Sequence, residues 1–164
     1  MFGEADMRAH NRYRSLGTGL ALTALASASH AQVVIEGLWV RAMPPTHTMT
    51  AAYGSVINQS DQVINLRGVS ANFAGSAMLH NSVSDGDSAR MVAMGPISLA
   101  PGEALTLSPG GGHIMLMDVT TMPKVESSVE ICFDTGEQSI CASAKVLRNA
   151  PGAQHDGHHG HMNH

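Results

Sequence analysis

The chain has 164 residues and a formal net charge of −4, which leaves room for one domain with extensions. Charged residues make up 13% and aromatic residues 4%, whereas glycine is frequent and strand formers dominate the apolar residues. Three of the nine Lys and Arg and two of the thirteen Asp and Glu lie in residues 1–31, so six basic and eleven acidic residues remain beyond them. Such a balance offers no basic stripe and argues against nucleic-acid binding.

Residues 1–31 are predicted to be a secretory signal peptide. A basic segment is followed by a short apolar run at residues 16–28 and by small residues that end at Ala31. The apolar run is too short and too rich in small residues for a good membrane span. Because acidic residues precede Met7, we expect the natural start to be Met7. This signal peptide predicts export to the periplasm. The alternative is that the segment stays uncleaved and acts as a membrane anchor.

From residue 32 onward, short runs of strand formers alternate with turn residues, and no convincing helix interrupts them. The predicted strands are Val33–Arg41, Thr50–Asn58, Val63–Ser70, Ala77–Val83, Arg90–Met94, Ala104–Leu107, His113–Val119, Ser127–Phe133 and Ser139–Leu147. Strands at this spacing predict an all-β domain, either a sandwich or a barrel.

The turn Asp85-Gly86-Asp87 predicts a hairpin that places His80 directly across from Met91, with both side chains on one face. Further along, His113, Met115 and Met117 alternate with Ile114 and Leu116. If this stretch is a strand, the His and both Met share one face, and the two aliphatic residues face the core.

His80, Met91, His113 and Met115 are four neutral donors, two of them soft thioethers. Thioethers select Cu(I) over Zn(II), Ca(II) or Mg(II), and imidazole binds copper in either oxidation state, so the set suits tetrahedral Cu(I). A single Met on a strand is more often a packing residue. We therefore interpret the remaining methionines as packing residues, although Met78 and Met117 share a face with the proposed ligands and are candidates for a soft outer shell. The methionines left as packing residues are Met43, Met49, Met78, Met94, Met117 and Met122.

Cys132 and Cys141 flank the turn Asp134-Thr135-Gly136. A hairpin centred between Gly136 and Glu137 places the two cysteines opposite each other, which predicts a cross-strand disulfide in an oxidising compartment. A thiolate pair that binds a metal is the alternative.

Residues 151–164 are predicted to be a disordered tail, because they lack any apolar period. Closely spaced imidazoles on such a tail suit Cu(II), and they would also hold Zn(II) or Ni(II). An incidental low-complexity end and a purification tag are the alternatives. The residues interleaved with the histidines argue against a tag, and they are Asp156, Gly157, Gly160, Met162 and Asn163. The candidate tail ligands are His155, His158, His159, His161, Met162 and His164.

His80, Met91, His113 and Met115 are separated by ten, twenty-one and one residues. This pattern resembles the copper-binding signature of the PCu(A)C family of periplasmic copper chaperones. The resemblance extends over about residues 33 to 148. The other segments that resemble the family are Leu38–Ala42 with Pro44–Pro45, Thr50–Tyr53 and Pro109–Met117.

The resemblance implies a cupredoxin-like β-sandwich with Greek-key connections, in which residues 32–150 hold Cu(I) near the surface through those four ligands. It implies a carrier that supplies copper to cytochrome c oxidase assembly, in particular to the CuA centre of subunit II, alongside a Sco-type thiol protein. We expect a monomer that meets the membrane only through its partner. The cysteines and the tail are not part of the core signature.

Three other functions compete with copper delivery. An electron-transfer cupredoxin needs a thiolate, two His and an axial Met, but no His or Met follows Cys141 at a suitable spacing. Periplasmic copper storage or tolerance would use the same ligands, and a secreted structural or adhesive sandwich would use none. We expect no enzymatic activity, because nothing resembles a nucleophile elbow, a hydrolytic zinc motif or a phosphate loop.

Overall fold

The computed structural model describes residues 33–85 and 88–152, which form eleven strands. No helix among these residues is long and apolar enough to cross a membrane. The predicted signal peptide and residues 153–164 of the predicted tail lie outside the described residues. The strands are β1 (Val33–Arg41), β2 (Thr50–Asn58), β3 (Ile64–Leu66), β4 (Gly68–Ala71), β5 (Ala74–Asp85), β6 (Ser88–Ala93), β7 (Ile97–Leu99), β8 (Ala104–Leu107), β9 (Gly112–Val119), β10 (Ser128–Asp134) and β11 (Ser139–Leu147).

Nine of these strands form one sheet in the order β4-β10-β11-β1-β2-β9-β5-β6, and β8 pairs with β2 beside this path. Strand β1 runs parallel to β11, whereas the other neighbouring strands are antiparallel. Strands β3 and β7 form a separate two-stranded sheet. The large sheet folds over so that one face of both halves lines a single core.

Alternation along the strands explains that core. In β9, Ile114 and Leu116 are fully buried, as predicted, while the residues between them face the other side of the sheet. Inward-facing residues of β1, β10 and β11 are also fully buried: Val40, Ile131, Phe133, Ala144 and Val146. The core therefore joins both halves of the sheet, and the predicted all-β sandwich is confirmed.

The predicted strand Val63–Ser70 is wrong as a single element. The chain instead leaves β3 at Leu66 and enters β4 at Gly68, and these strands belong to different sheets. Between them, the backbone N–H of Arg67 donates to the carbonyl of Asp134 at 2.8 Å, which fixes the crossing point. The partner of β3 is β7, a three-residue strand that is too short to show an alternating pattern in the sequence.

Asn58 joins the two sheets at the end of β2. Its side chain is fully buried, and its Nδ2 donates to the carbonyl of Leu99 at 2.9 Å and to that of Gln62 at 2.7 Å. Its Oδ1 accepts from the backbone N–H and the hydroxyl of Ser60. Every polar atom of this buried amide is thus used, which anchors β7 against the main sheet.

A bulge in β1 brings two backbones close together. The register between β1 and β2 shifts between Glu36 and Trp39, and Gly37 lies there with a φ of +59°. Opposite the bulge, Gly54 has a φ of +151°, and a Cβ at this position would lie 3.0 Å from the carbonyl oxygen of Glu36. A glycine is therefore required beside Tyr53, which pairs with Trp39.

Candidate metal centre

The centre of the candidate site is formed by two neighbouring antiparallel strands, β5 and β9. In their register His80 lies directly across from His113, and Met78 lies directly across from Met115. The two imidazole rings are nearly parallel, with centroids 6.1 Å apart and an interplanar angle of 21°. Both histidines and Met115 are therefore on one face and close together, on the side of the sheet opposite the core.

The predicted register of the hairpin that carries Met91 is wrong. Strands β5 and β6 pair His80 with Ala93 and Ser82 with Met91, so Met91 is not directly across from His80. The pairing continues to Asp85 and Ser88, which moves the centre of the hairpin one residue further along the chain than predicted. A two-residue shift preserves the face of each side chain. Met91 is thus a diagonal neighbour of His80 on the predicted face, within reach of a long side chain.

Exposure differs strongly across the four predicted ligands. His113 is buried, at 5% exposure, whereas Met91 at the sheet edge is 59% exposed. His80 and Met115 are half-buried. The site is therefore closed on the side of His113 and open to solvent on the side of β6.

Hydrogen bonding leaves nitrogen lone pairs available on both histidines. The Nδ1 of His113 lies 3.1 Å from the carbonyl oxygen of Gly111, and because a carbonyl only accepts, Nδ1 carries the proton and Nε2 the lone pair. A backbone carbonyl that holds the tautomer in this way is typical of metal-binding histidines. The Nδ1 of His80 is buried without a hydrogen-bond partner. A buried polar atom of this kind usually has a partner, and a metal ion would provide one.

Aromatic rings continue the row of histidines across the sheet. Tyr53 packs 6.4 Å from His113 and 4.7 Å from Trp39, measured between ring centroids, and Arg41 lies over the Tyr53 ring at 5.8 Å. Tyr53 therefore supports the buried side of His113. This role of Tyr53 could not be predicted from the sequence, because it depends on the order of strands β1, β2 and β9, for which the chain gives no local signal.

The two cysteines lie elsewhere on the sheet. Cys132 pairs directly with Cys141, as the predicted hairpin requires, and their sulfur atoms form a disulfide. Glu130 places a carboxylate oxygen within 4.8 Å of both sulfurs. Because each sulfur is bonded to the other, neither is a thiolate, and the alternative of a thiolate metal pair is wrong for this structure. The same bond leaves no thiolate for a blue-copper site.

The remaining methionines fall into three groups by their exposure. Met122 is buried and Met94 packs against the core, which agrees with a packing role. Met49 and Met78 are exposed, at 51% and 44%, so a core-packing role is wrong for both, while the outer-shell role of Met78 stays a prediction. Met117 is half-buried and pairs with Ser76 on the same face as Met115.

Comparison with known proteins gives consistent matches. A model of the LpqE-like family matches residues 33–144. The copper-bound PCuAC domain from PmoF2 matches with a TM-score of 0.61 and 25% identity, over 73% of this chain and 95% of that domain. The solution structure of CuI-DR1885 from Deinococcus radiodurans matches with a TM-score of 0.55 and 34% identity, over 76% of this chain and 84% of that one.

A curated relative comes from Leifsonia xyli. This protein, Lxx21020, has a name that describes it as a lipoprotein, and it is 28% identical over 142 residues, which are 83% of this chain and 84% of its own. The structural matches to PCuAC domains confirm the predicted cupredoxin-like β-sandwich.

Proposed function

Since the chain belongs to the LpqE-like family of PCu(A)C domains, we propose that it is a copper carrier that works outside the cytoplasm. The observation that supports this most directly is the pairing of His80 with His113 on one face, beside Met115. Two of the matched structures, the PmoF2 domain and CuI-DR1885, are described as copper-bound. The cargo of this chain is accordingly copper, and the binding domain is residues 32–150.

The donor set favours Cu(I). His80, His113, Met91 and Met115 provide two imidazoles and two thioethers, all neutral, and thioethers discriminate against hard divalent cations. His113 has its Nε2 lone pair available on the buried side, and Met91 approaches from the edge strand β6. A neutral set leaves the positive charge of Cu(I) uncompensated, so the metal remains open to exchange with an anionic thiolate.

Release to a partner follows the gradient of exposure. The thioether of Met91 is the most accessible donor and His113 the least accessible. An incoming ligand therefore replaces Met91 first, while His113 holds the metal until the exchange is nearly complete. Such stepwise replacement suits a carrier better than a storage site, which would enclose all of its ligands.

The recipient in this proposal is the CuA centre of cytochrome c oxidase subunit II, reached directly or through a Sco-type thiol protein in the periplasm. The chain acts as a monomer without catalytic activity of its own and meets the membrane only through that partner. The histidines of the tail, residues 151–164, capture Cu(II), and the folded domain holds Cu(I). A signal peptide at residues 1–31 directs the export.

A Cu(I) titration of the full chain against a chromophoric chelator tests this proposal. All five tail histidines and Met162 are replaced by alanine, so that the tail no longer competes for the metal. We expect one tightly bound Cu(I) per chain and transfer from the loaded protein to an apo CuA domain, followed by the visible absorbance of that centre. Absence of tight one-to-one binding would refute the carrier, and binding without transfer would refute the recipient alone.

A further inference from the structure

We propose that Met78 is a further copper ligand, which exchanges with Met91 at the pair of histidines. This inference rests on the proposed function, because it concerns the same Cu(I) ion. It assigns a role to a side chain that lies outside the four-residue signature and outside the core. The exchange gives the metal two alternative coordination sets that share His80, His113 and Met115.

The register of β5 and β9 places Met78 beside the other donors on this face. Met78 pairs with Met115, and the next pair on the same face is His80 with His113. Directly paired side chains have Cβ atoms about 5 Å apart. Neighbours along one strand face, two residues apart, are separated by about 6.6 Å. Met78 is therefore no further from the two histidines than Met115 is.

Met91 and Met78 approach His80 from opposite directions along the strand. Met91 pairs with Ser82, two residues after His80, whereas Met78 lies two residues before it. A copper ion on the two imidazoles thus has one thioether on each side of His80. Both thioethers are candidates for the fourth position, and only the signature spacing favours Met91.

The surroundings of Met78 give its side chain freedom to move. Strand β6 pairs with β5 only from His80 onward, so β5 has no β6 neighbour at Met78. Met78 is 44% exposed and is not among the residues packed in the core. Since Met is unbranched and has three rotatable bonds, its sulfur is able to turn toward the histidines at low cost. A role in the hydrophobic core therefore does not account for this residue.

The exchange replaces one bond between copper and a thioether sulfur with another. The bond between copper and the Met91 sulfur breaks as the bond to the Met78 sulfur forms, with no proton transfer and no change of oxidation state. After Met91 dissociates, Met78 keeps copper four-coordinate until an incoming ligand binds on the side of β6. The metal is thereby never reduced to the two imidazoles and Met115 alone.

The test uses the full chain with the tail histidines and Met162 replaced by alanine and with carbon-13 in the methionine methyl groups. Met78→Leu, Met91→Leu and the double variant are titrated with Cu(I) against a chelator, and methyl resonances are assigned from the single variants. Leucine conserves volume, so folding is preserved. Met49→Leu is the matched control, because Met49 is similarly exposed, at 51%, but lies outside β5, β6 and β9.

We expect each single variant to lose less than about tenfold in Cu(I) affinity and the double variant to lose about 100-fold or more, a non-additive result typical of groups that replace each other. In Met91→Leu the Met78 methyl resonance shifts on addition of Cu(I), and Met49→Leu behaves as the unsubstituted protein. The inference is overturned if the double variant has the same Cu(I) affinity as Met91→Leu. It is also overturned if Met78→Leu alone loses as much affinity as the double variant. Failure of the parent protein to bind Cu(I) instead refutes the proposed function and, with it, this inference.

Discussion

His80 and His113 lie directly across from one another on β5 and β9, with their rings 6.1 Å apart. Thirty-two residues separate them in the chain, so the fold rather than local sequence creates the pair. The pair also joins the two parts of the four-residue signature, since His80 belongs to the β5–β6 hairpin and His113 to β9. Each ring is supported differently: Tyr53 packs beside His113, while Met78 and Met91 flank His80.

Replacement of His113 by alanine is expected to lower Cu(I) affinity by about 100-fold or more, since loss of an outer-shell partner alone costs up to that much. The physical reason is the loss of the buried imidazole whose Nε2 is left free by the bond to Gly111. Chelator competition measures the effect. His47→Ala is the control, because His47 is exposed and lies between β1 and β2. Equal affinities for the two variants would exclude His113 as a ligand.

Gly54→Ala is expected to lower the free energy of unfolding by about 1–3 kcal/mol, the usual cost of a strained backbone conformation. The added Cβ would meet the carbonyl oxygen of Glu36 and the Cα of Leu38, both at 3.0 Å, in the bulge. Urea unfolding followed by the fluorescence of Trp39, the single tryptophan, measures the change. Gly95→Ala is the matched control, because its Cβ would have no neighbour within 4 Å. An unchanged free energy of unfolding in Gly54→Ala would show that the bulge accommodates the added Cβ without cost.

Asn58→Ala is expected to destabilise the fold by about 2–4 kcal/mol, because it leaves buried polar partners unsatisfied. The carbonyl of Leu99 loses its donor, and the joint between the two sheets loosens. The measurement is again urea unfolding. Gln59→Ala, an exposed neighbour, should stay within about 0.5 kcal/mol of the parent. A small loss of stability in Asn58→Ala would mean that water takes over the hydrogen bonds of the amide.

Removal of the disulfide by Cys132→Ser with Cys141→Ser is expected to cost about 2–3 kcal/mol of stability, as for a loop of this length. Cu(I) affinity should not change, because β1 and β2 lie between β11 and β9 in the sheet. Unfolding and chelator competition are measured on the same variant. A reduced sample of the parent protein serves as the control. Any large loss of copper binding would indicate that the two regions are coupled.

Local pattern predicted much of this fold. Strands β1, β2, β8 and β11 have the predicted bounds, because each is a run of strand-forming residues between turn residues. The direct pairing of Cys132 with Cys141 also follows from one short hairpin. These features depend on neighbours in the chain, where periodicity and turn chemistry carry the information.

The rest depends on relations that the sequence does not encode locally. The turn at residues 85–87 permits more than one hairpin centre, and the choice moved Met91 by two positions relative to His80. The pairing of Met78 with Met115 requires knowledge that β5 is the neighbour of β9. Likewise, the division at Arg67 depends on a partner strand, β7, that is too short to detect.

The parallel pairing of β1 with β11 has a consequence for the reach of the C-terminal segment. Trp39 pairs with Lys145 and Arg41 with Leu147, so β11 ends on the side of the sandwich where the row of rings crosses the sheet. Three strand spacings, roughly 14 Å in all, separate β11 from His113 on β9. A coil of fourteen residues spans roughly 20 Å. If the tail captures Cu(II) as proposed, an external one-electron reductant would have to convert it to Cu(I), and the reduced ion would then meet His80 and His113 at a local concentration in the millimolar range, without an encounter between two protein molecules.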